Sequence, residues 1–135
     1  ASAHGVAAVS KEDLFARADV LSVHLILSER SRGLVGATEL ARMKRTALLV
    51  NTSRGPIVDE AALLNALRGK EIAGAALDVY DIEPLPADHP LRALENAMLT
   101  PHLGYVTREM YEIFYGDAVE NIAAYQAGKP IRIME

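Results

Sequence analysis

Leu48-Leu49-Val50-Asn51-Thr52-Ser53-Arg54-Gly55-Pro56-Ile57-Val58-Asp59 is an apolar run that breaks off at small polar residues, turns at Arg-Gly-Pro and delivers a helix start. Residues 47–50 are short, aliphatic and uncharged, the pattern of a strand buried on both faces of a parallel sheet. Asp59 is a favourable N-cap for a helix over 60–68, which Gly69 ends. Strand, polar loop and helix in that order put Thr52, Ser53 and Arg54 at the carboxyl end of a strand, where open α/β sheets bind their ligands. Arg54 has no acidic residue nearer in sequence than Asp59, so its guanidinium can take a carboxylate in bidentate geometry. The same local pattern suits an arginine that caps a loop or pairs with a distant acid.

Toward the N-terminus, residues 37–43 read as a short helix with Leu40 and Met43 on one side, preceded by a polar loop over 26–36. Residues 20–25 form another apolar run and are expected to be a buried strand. Before it, Ser10 caps a helix with Asp13 three residues on, and Leu14 and Phe15 are expected to face inward. Residues 1–5 read as the tail of a helix ended by Gly5, followed by a short apolar run over 6–9. Toward the C-terminus, the helix over 60–68 packs through Leu63, Leu64 and Leu67, and residues 72–79 read as a third strand. Residues 80–96 form a long loop fixed by Pro84, Pro86 and Pro90; loops of that length in a compact domain are usually functional. A fourth short strand over 97–100 leads to Pro101-His102-Leu103-Gly104. One long helix follows over 106–127, stopped by Gly128-Lys129-Pro130. Its stripe of Val106, Met110, Phe114, Ala118, Ile122 and Tyr125 is expected to be packing surface. The alternation of strand and helix argues for an α/β fold, a parallel sheet with helices on both faces.

Composition narrows the function classes. The 135 residues include 14 basic and 18 acidic side chains, for a net charge of -4 with no basic run, so nucleic acid is not an expected partner. No cysteine is present, which excludes disulfides and thiol catalysis and suits a reducing cytoplasm. No apolar segment approaches the roughly 20 residues of a membrane helix, and the N-terminus lacks a signal pattern, so no membrane role is expected. The histidines are scattered without ligand spacing, so no metal site is expected.

Four polar stations fall at the carboxyl ends of the four expected strands: His24 with Ser28, Asn51 to Arg54, Asp78 to Glu83, and His102. In a parallel sheet they converge on one edge. His102 is a candidate acid/base because imidazole titrates near neutrality. Glu83, if within reach, would favour the imidazolium. Arg54 could then hold a carboxylate while His102 exchanges a proton with an adjacent oxygen. Equally, His102 could be a turn residue after proline and Glu83 a solvated loop acid. His4 and His89 have no partner in view, and replacing His89 is expected to be nearly silent.

Three motifs carry a resemblance: 50–59, then Gly74-Ala75-Ala76-Leu77-Asp78-Val79-Tyr80-Asp81-Ile82-Glu83-Pro84, then Thr100-Pro101-His102-Leu103-Gly104. In order and spacing they resemble the D-isomer-specific 2-hydroxyacid dehydrogenases. The resemblance implies a Rossmann-like parallel sheet with flanking helices, the second half of a doubly wound domain. It implies that Arg54 anchors the substrate carboxylate and carbonyl, that His102 donates a proton to the carbonyl, and that Glu83 orients and charges His102. It implies an NAD or NADP cofactor, with Asp78 at the nicotinamide carboxamide and the Thr52 backbone beside the same ring. His24, Leu25 and Ser28 would line the path from adenosine to nicotinamide, and Asn51, Ser53, Arg54, His102 and Gly104 complete the cofactor-facing set. The helix after His102 is similar to the one that runs back toward the family's other domain. A glutamate rather than an amide at 83 counts against the formate-oxidising branch.

The family's Gly-x-Gly-x-x-Gly fingerprint occurs nowhere among these residues. Residues 1–135 therefore read as a partial dinucleotide-binding domain without the fingerprint half or the substrate-binding lobe. The strand near Val20, which would pair with the fingerprint strand, is expected to leave an apolar edge that either marks a truncated chain or is covered by another copy. The expected partners are a small 2-hydroxy or 2-oxo acid and, in the parent enzyme, a second subunit of a homodimer; the chain alone is expected to be inactive. The competing class is a non-catalytic nucleotide-sensing or interaction module on the same fold. Retention of Arg54, Glu83 and His102 together favours the enzyme.

Overall fold

A computed structural model describes residues 5–134. The reading of residues 1–4 as a helix tail, and His4 with it, falls outside these. The chain divides into two compact units, Ala1–His102 and Leu103–Glu135.

The first unit holds a sheet of four parallel strands in the order β1 (Val20–Val23), β2 (Leu48–Asn51), β3 (Gly74–Leu77) and β4 (Ala97–Leu99). Each strand ends where the sequence turns polar, so the third is shorter than residues 72–79 suggested. In register, Leu21, Leu49 and Ala75 form one row across the sheet, and Val23, Asn51 and Leu77 form the next row on the same face. These six side chains are buried. Helices α1 (Lys11–Arg17), α2 (Ala37–Leu40) and α3 (Glu60–Arg68) supply the other layer of the core through Phe15, Leu40, Leu63, Ala66 and Leu67.

The helix ends follow from local chemistry. Ser10 Oγ accepts the Asp13 N–H at 3.1 Å, and Asp59 Oδ1 accepts the Ala62 N–H at 2.9 Å, each satisfying a donor that the first helical turn leaves open. Leu14, expected inside, is 46% exposed; only Phe15 turns inward, because a seven-residue helix shows the core a single side chain here.

The reading of β2 as buried on both faces is also corrected. Its burial alternates, and Leu48 is 45% exposed. Among the described residues no helix of this unit covers the second face of the sheet, where Val20 and Met98 are also open.

The second unit contains α4 (Arg108–Gln126). Thr107 caps it by accepting the Met110 N–H at 3.2 Å, and Gly128 follows at a positive φ of 71°, as the glycine stop anticipated. The tail returns along the helix, where Arg132 donates to Asp117 and Glu120 at 2.8 and 2.9 Å. No side chain of α4 is buried, so the stripe read as packing surface is exposed, with Phe114 at 49%. One helix and its short tail provide no second layer to cover it.

Candidate active site

The parallel strand order carries the four polar stations to the same edge of the sheet. At the end of β2, Asn51 is 1% exposed and spends its amide on the loop that follows. Its Nδ2 donates to the Arg54 carbonyl at 3.0 Å, and its Oδ1 accepts the Ser53 N–H at 3.1 Å. Ser53 Oγ donates to the Val23 carbonyl at 2.8 Å and accepts the Leu25 N–H at 3.2 Å, tying this loop to the end of β1. A 3-10 turn over Gly55–Ile57 then seats the loop on the next one. A Cβ built on Gly55 would lie 2.1 Å from the Tyr80 carbonyl carbon, so only glycine permits this approach. The Arg54 side chain is exposed, with Nη1 donating to the Ser53 carbonyl at 2.6 Å.

After β3 the chain folds back on itself. The Tyr80 hydroxyl lies 3.0 Å from the Leu77 carbonyl and 2.9 Å from the Thr100 carbonyl, locking the ring between the ends of β3 and β4. Burial, and then the negative charge of Asp78, push the Tyr80 phenol above its ordinary pKa, so it stays a neutral donor. The Tyr80 N–H donates to Glu83 Oε1 at 2.9 Å, which turns that carboxylate back toward the sheet edge. Its other oxygen, Oε2, accepts from His102 Nδ1 at 2.6 Å. His102 follows β4 with a φ of 58°, in the left-handed region, a conformation that the surrounding contacts must impose.

Partial burial works against ionising Glu83. It is outweighed by the bond from His102, the Tyr80 N–H and the positive charges of His102 and Arg54, so the carboxyl sits below the ordinary glutamate value. Arg54 therefore acts electrostatically on the same carboxylate that grips His102. The three residues selected from sequence share one neighbourhood at the sheet edge. A cleft of about 490 Å³ adjoins Glu83 and His102, with Tyr80, Leu85, Arg92 and Thr100 also among its walls; Arg54 is not one of its lining residues.

The remaining candidates are placed less uniformly. Asp78 is buried at the end of β3 and accepts a hydrogen bond from the Thr100 hydroxyl. Thr52 is exposed beside it in the sequence of strand ends. His24 and Leu25 are exposed at the end of β1, His24 Nε2 lying 2.8 Å from Ser22 Oγ. Ser28 is engaged within its own loop, where its N–H donates to Ser31 Oγ at 2.8 Å. Gly104 belongs to the second unit.

His89, with no partner in view from the sequence, has two. Nε2 donates to Glu60 Oε1 at 3.0 Å, and Nδ1 accepts the Leu91 N–H at 3.3 Å. Glu60 is 29 residues away in sequence, so nothing local announced the pair. Ser31 and Tyr80 carry buried hydroxyls that tie their loops together, and the exposed Thr100 donates to Asp78; none of these partners is near enough in the strand-end pattern to be announced by it. Among the described residues no group of three or more His, Asp or Glu side chains could hold a metal ion, and no helix is long and apolar enough to cross a membrane.

Comparison with known proteins places the fold in a family. Residues 1–104 match the NAD-binding domain of the D-isomer-specific 2-hydroxyacid dehydrogenases. A glyoxylate reductase of Aeropyrum pernix is 50% identical over 120 residues, covering 89% of this chain and 36% of that protein. An oxidoreductase of Ralstonia solanacearum superposes with a TM-score of 0.91 at 44% identity, over 98% of this chain and 39% of that one. A D-isomer-specific 2-hydroxyacid dehydrogenase of Xanthobacter autotrophicus Py2, solved with NADPH and MES, gives a TM-score of 0.69 at 42% identity, over 90% of this chain and 50% of that one. The chain thus spans little more than a third of the length of the glyoxylate reductase it matches. By sequence and by fold, it belongs to the D-isomer-specific 2-hydroxyacid dehydrogenase family.

Proposed function

We propose that these residues form the carboxylate-holding and proton-transfer part of an enzyme that interconverts a small 2-oxo acid and its D-2-hydroxy acid with NAD or NADP. The observation that carries this reading is the 2.6 Å bond between His102 Nδ1 and Glu83 Oε2, with the charge of Arg54 acting on the same carboxylate. Arg54 is the only one of the three that can grip the substrate carboxylate in a bidentate fork. Glu83 fixes the tautomer of His102 by holding the proton on Nδ1, which leaves Nε2 as the nitrogen that gives a proton to the carbonyl oxygen and takes it back in the reverse direction. The nicotinamide, when bound, supplies or accepts the hydride at the carbon bearing that oxygen.

The strand-end edge suits the nicotinamide end of a dinucleotide. Asp78 supplies a carboxylate for its carboxamide, with Thr52 and Asn51 adjacent, and His24, Leu25, Ser28 and Ser53 complete the proposed contacts. The pyrophosphate cradle is not among these residues, since no Gly-x-Gly-x-x-Gly occurs in them. A homodimer, which rests on the family resemblance, and a cytoplasmic location, which rests on the lack of cysteine, belong to the same proposal.

The test is a hydride-transfer assay of the native protein with NADH and NADPH over a panel of 2-oxo acids that includes glyoxylate. Turnover of at least one such acid, abolished in Arg54→Gln and His102→Asn, is the expected result. Saturable dinucleotide binding without any turnover would instead favour the nucleotide-sensing module.

A further inference from the structure

The loop that presents Glu83 is anchored at its far end. Leu91 is buried to 1% exposure in the core, within a 3-10 turn over Pro90–Ala93. From that turn Arg92 reaches back, Nε donating to the Pro86 carbonyl and Nη2 to the Leu85 carbonyl, both at 2.8 Å. The clamp therefore ends two residues after Glu83. At the start of the turn stands His89, whose Nε2 donates across to Glu60, the first residue of α3. Glu60 in turn follows directly on the Arg54 loop and its 3-10 turn. Where the two loops meet, Asn51, Gly55 and Glu60 on one side and Tyr80, Asp81 and Leu91 on the other line a void of only about 10 Å³, at the lower limit for a water.

The tautomer is also determined. Because Nδ1 accepts the Leu91 N–H, the ring proton lies on Nε2 and faces Glu60. Both side chains are largely shielded, with 15% of His89 and 27% of Glu60 exposed. Asp81, Asp59 and Arg32 are the other charges in this neighbourhood.

We propose that His89, through its bond to Glu60, is a positioning residue that holds the Glu83 loop against the Arg54 loop and so aims the Glu83–His102 pair. This rests on the reading of that pair as the proton-transfer couple. His89 touches neither reacting atoms nor the pair itself; it acts through Arg92 and the 84–86 backbone.

Two substitutions separate this from a role in capping the 3-10 turn. Glutamine at 89 places an amide N–H near the position of Nε2, and asparagine keeps only an acceptor near Nδ1. In the native protein, His89→Asn and Glu60→Ala should each lower kcat by about tenfold or more with KM for the 2-oxo acid within about twofold, the behaviour of a misaligned reacting group. Both should shift or broaden the NMR resonance of the His102 Nδ1 proton. His89→Gln should restore kcat and the resonance. The inference is overturned if His89→Asn behaves as wild type, or if His89→Gln fails as badly as His89→Asn. A wild-type protein that turns over no 2-oxo acid would refute the functional reading while the Nδ1 resonance in the same variants still decides the positioning role.

Discussion

The two loops that make the site are built on opposite plans. Around Arg54 the backbone is pinned, by the Asn51 amide, the Ser53 hydroxyl and the close seat of Gly55 on Tyr80, while the guanidinium itself stays exposed. Around His102 the side chain is pinned, by the Glu83 carboxylate, and the backbone takes up a left-handed turn to bring it there. The difference fits the roles proposed for the two groups. A cation that meets a diffusing carboxylate has a long-range attraction and can adjust on contact. A proton donor must present one nitrogen along one line before the substrate arrives, since transfer falls off steeply with misplacement.

The strongest way to break this contrast is at the pinned side chain. His102→Asn or Glu83→Gln in the native enzyme should lower kcat by about 10² to 10⁴, with little change in KM, because general acid–base catalysis contributes on that scale. Next is the pinned backbone. Gly55→Ala forces a methyl into the Tyr80 peptide and should destabilise the fold by about 3 kcal/mol, read as a fall in the denaturant midpoint at constant slope. Arg54→Lys keeps the charge but loses the fork, and should raise KM by about tenfold with kcat changed less, as expected when one charge-assisted bond is lost.

The smallest effect is in pH. Glu83 has a folded-state pKa below its ordinary value, so the stabilisation from its ionised form is complete above the ordinary glutamate value. It is lost as pH falls through the lower folded-state value. An unfolding series on the acid side should show this slope in the wild type and a shallower one in Glu83→Gln.

Much of the fold is written locally, and the limits are physical. The start of α3 at Glu60 follows from an aspartate cap, which needs no tertiary context, whereas at its end Gly69 stays right-handed and Lys70 takes the positive φ of 51°. The strands end where small polar residues begin, so the convergence of His24, Arg54, Asp78 and His102 on one edge was legible once the sheet was taken as parallel. Burial was less so. Leu14, Leu48 and the α4 stripe all have apolar patterns, but whether a second layer covers them is decided by elements far away in sequence. The same holds for His89, whose partner on α3 is remote in sequence, whereas Glu83 and His102 stand out because each falls in a polar station after a strand.

The most direct test is whether one small anion engages both loops together. In the native protein with NAD present, titration with glyoxylate should be followed by NMR at the His102 ring and at the Arg54 Nε–H. The expected result is that both resonances move with a single shared dissociation constant. Movement of only one of them, or two different constants, would contradict the placement of guanidinium and imidazole around the same ligand.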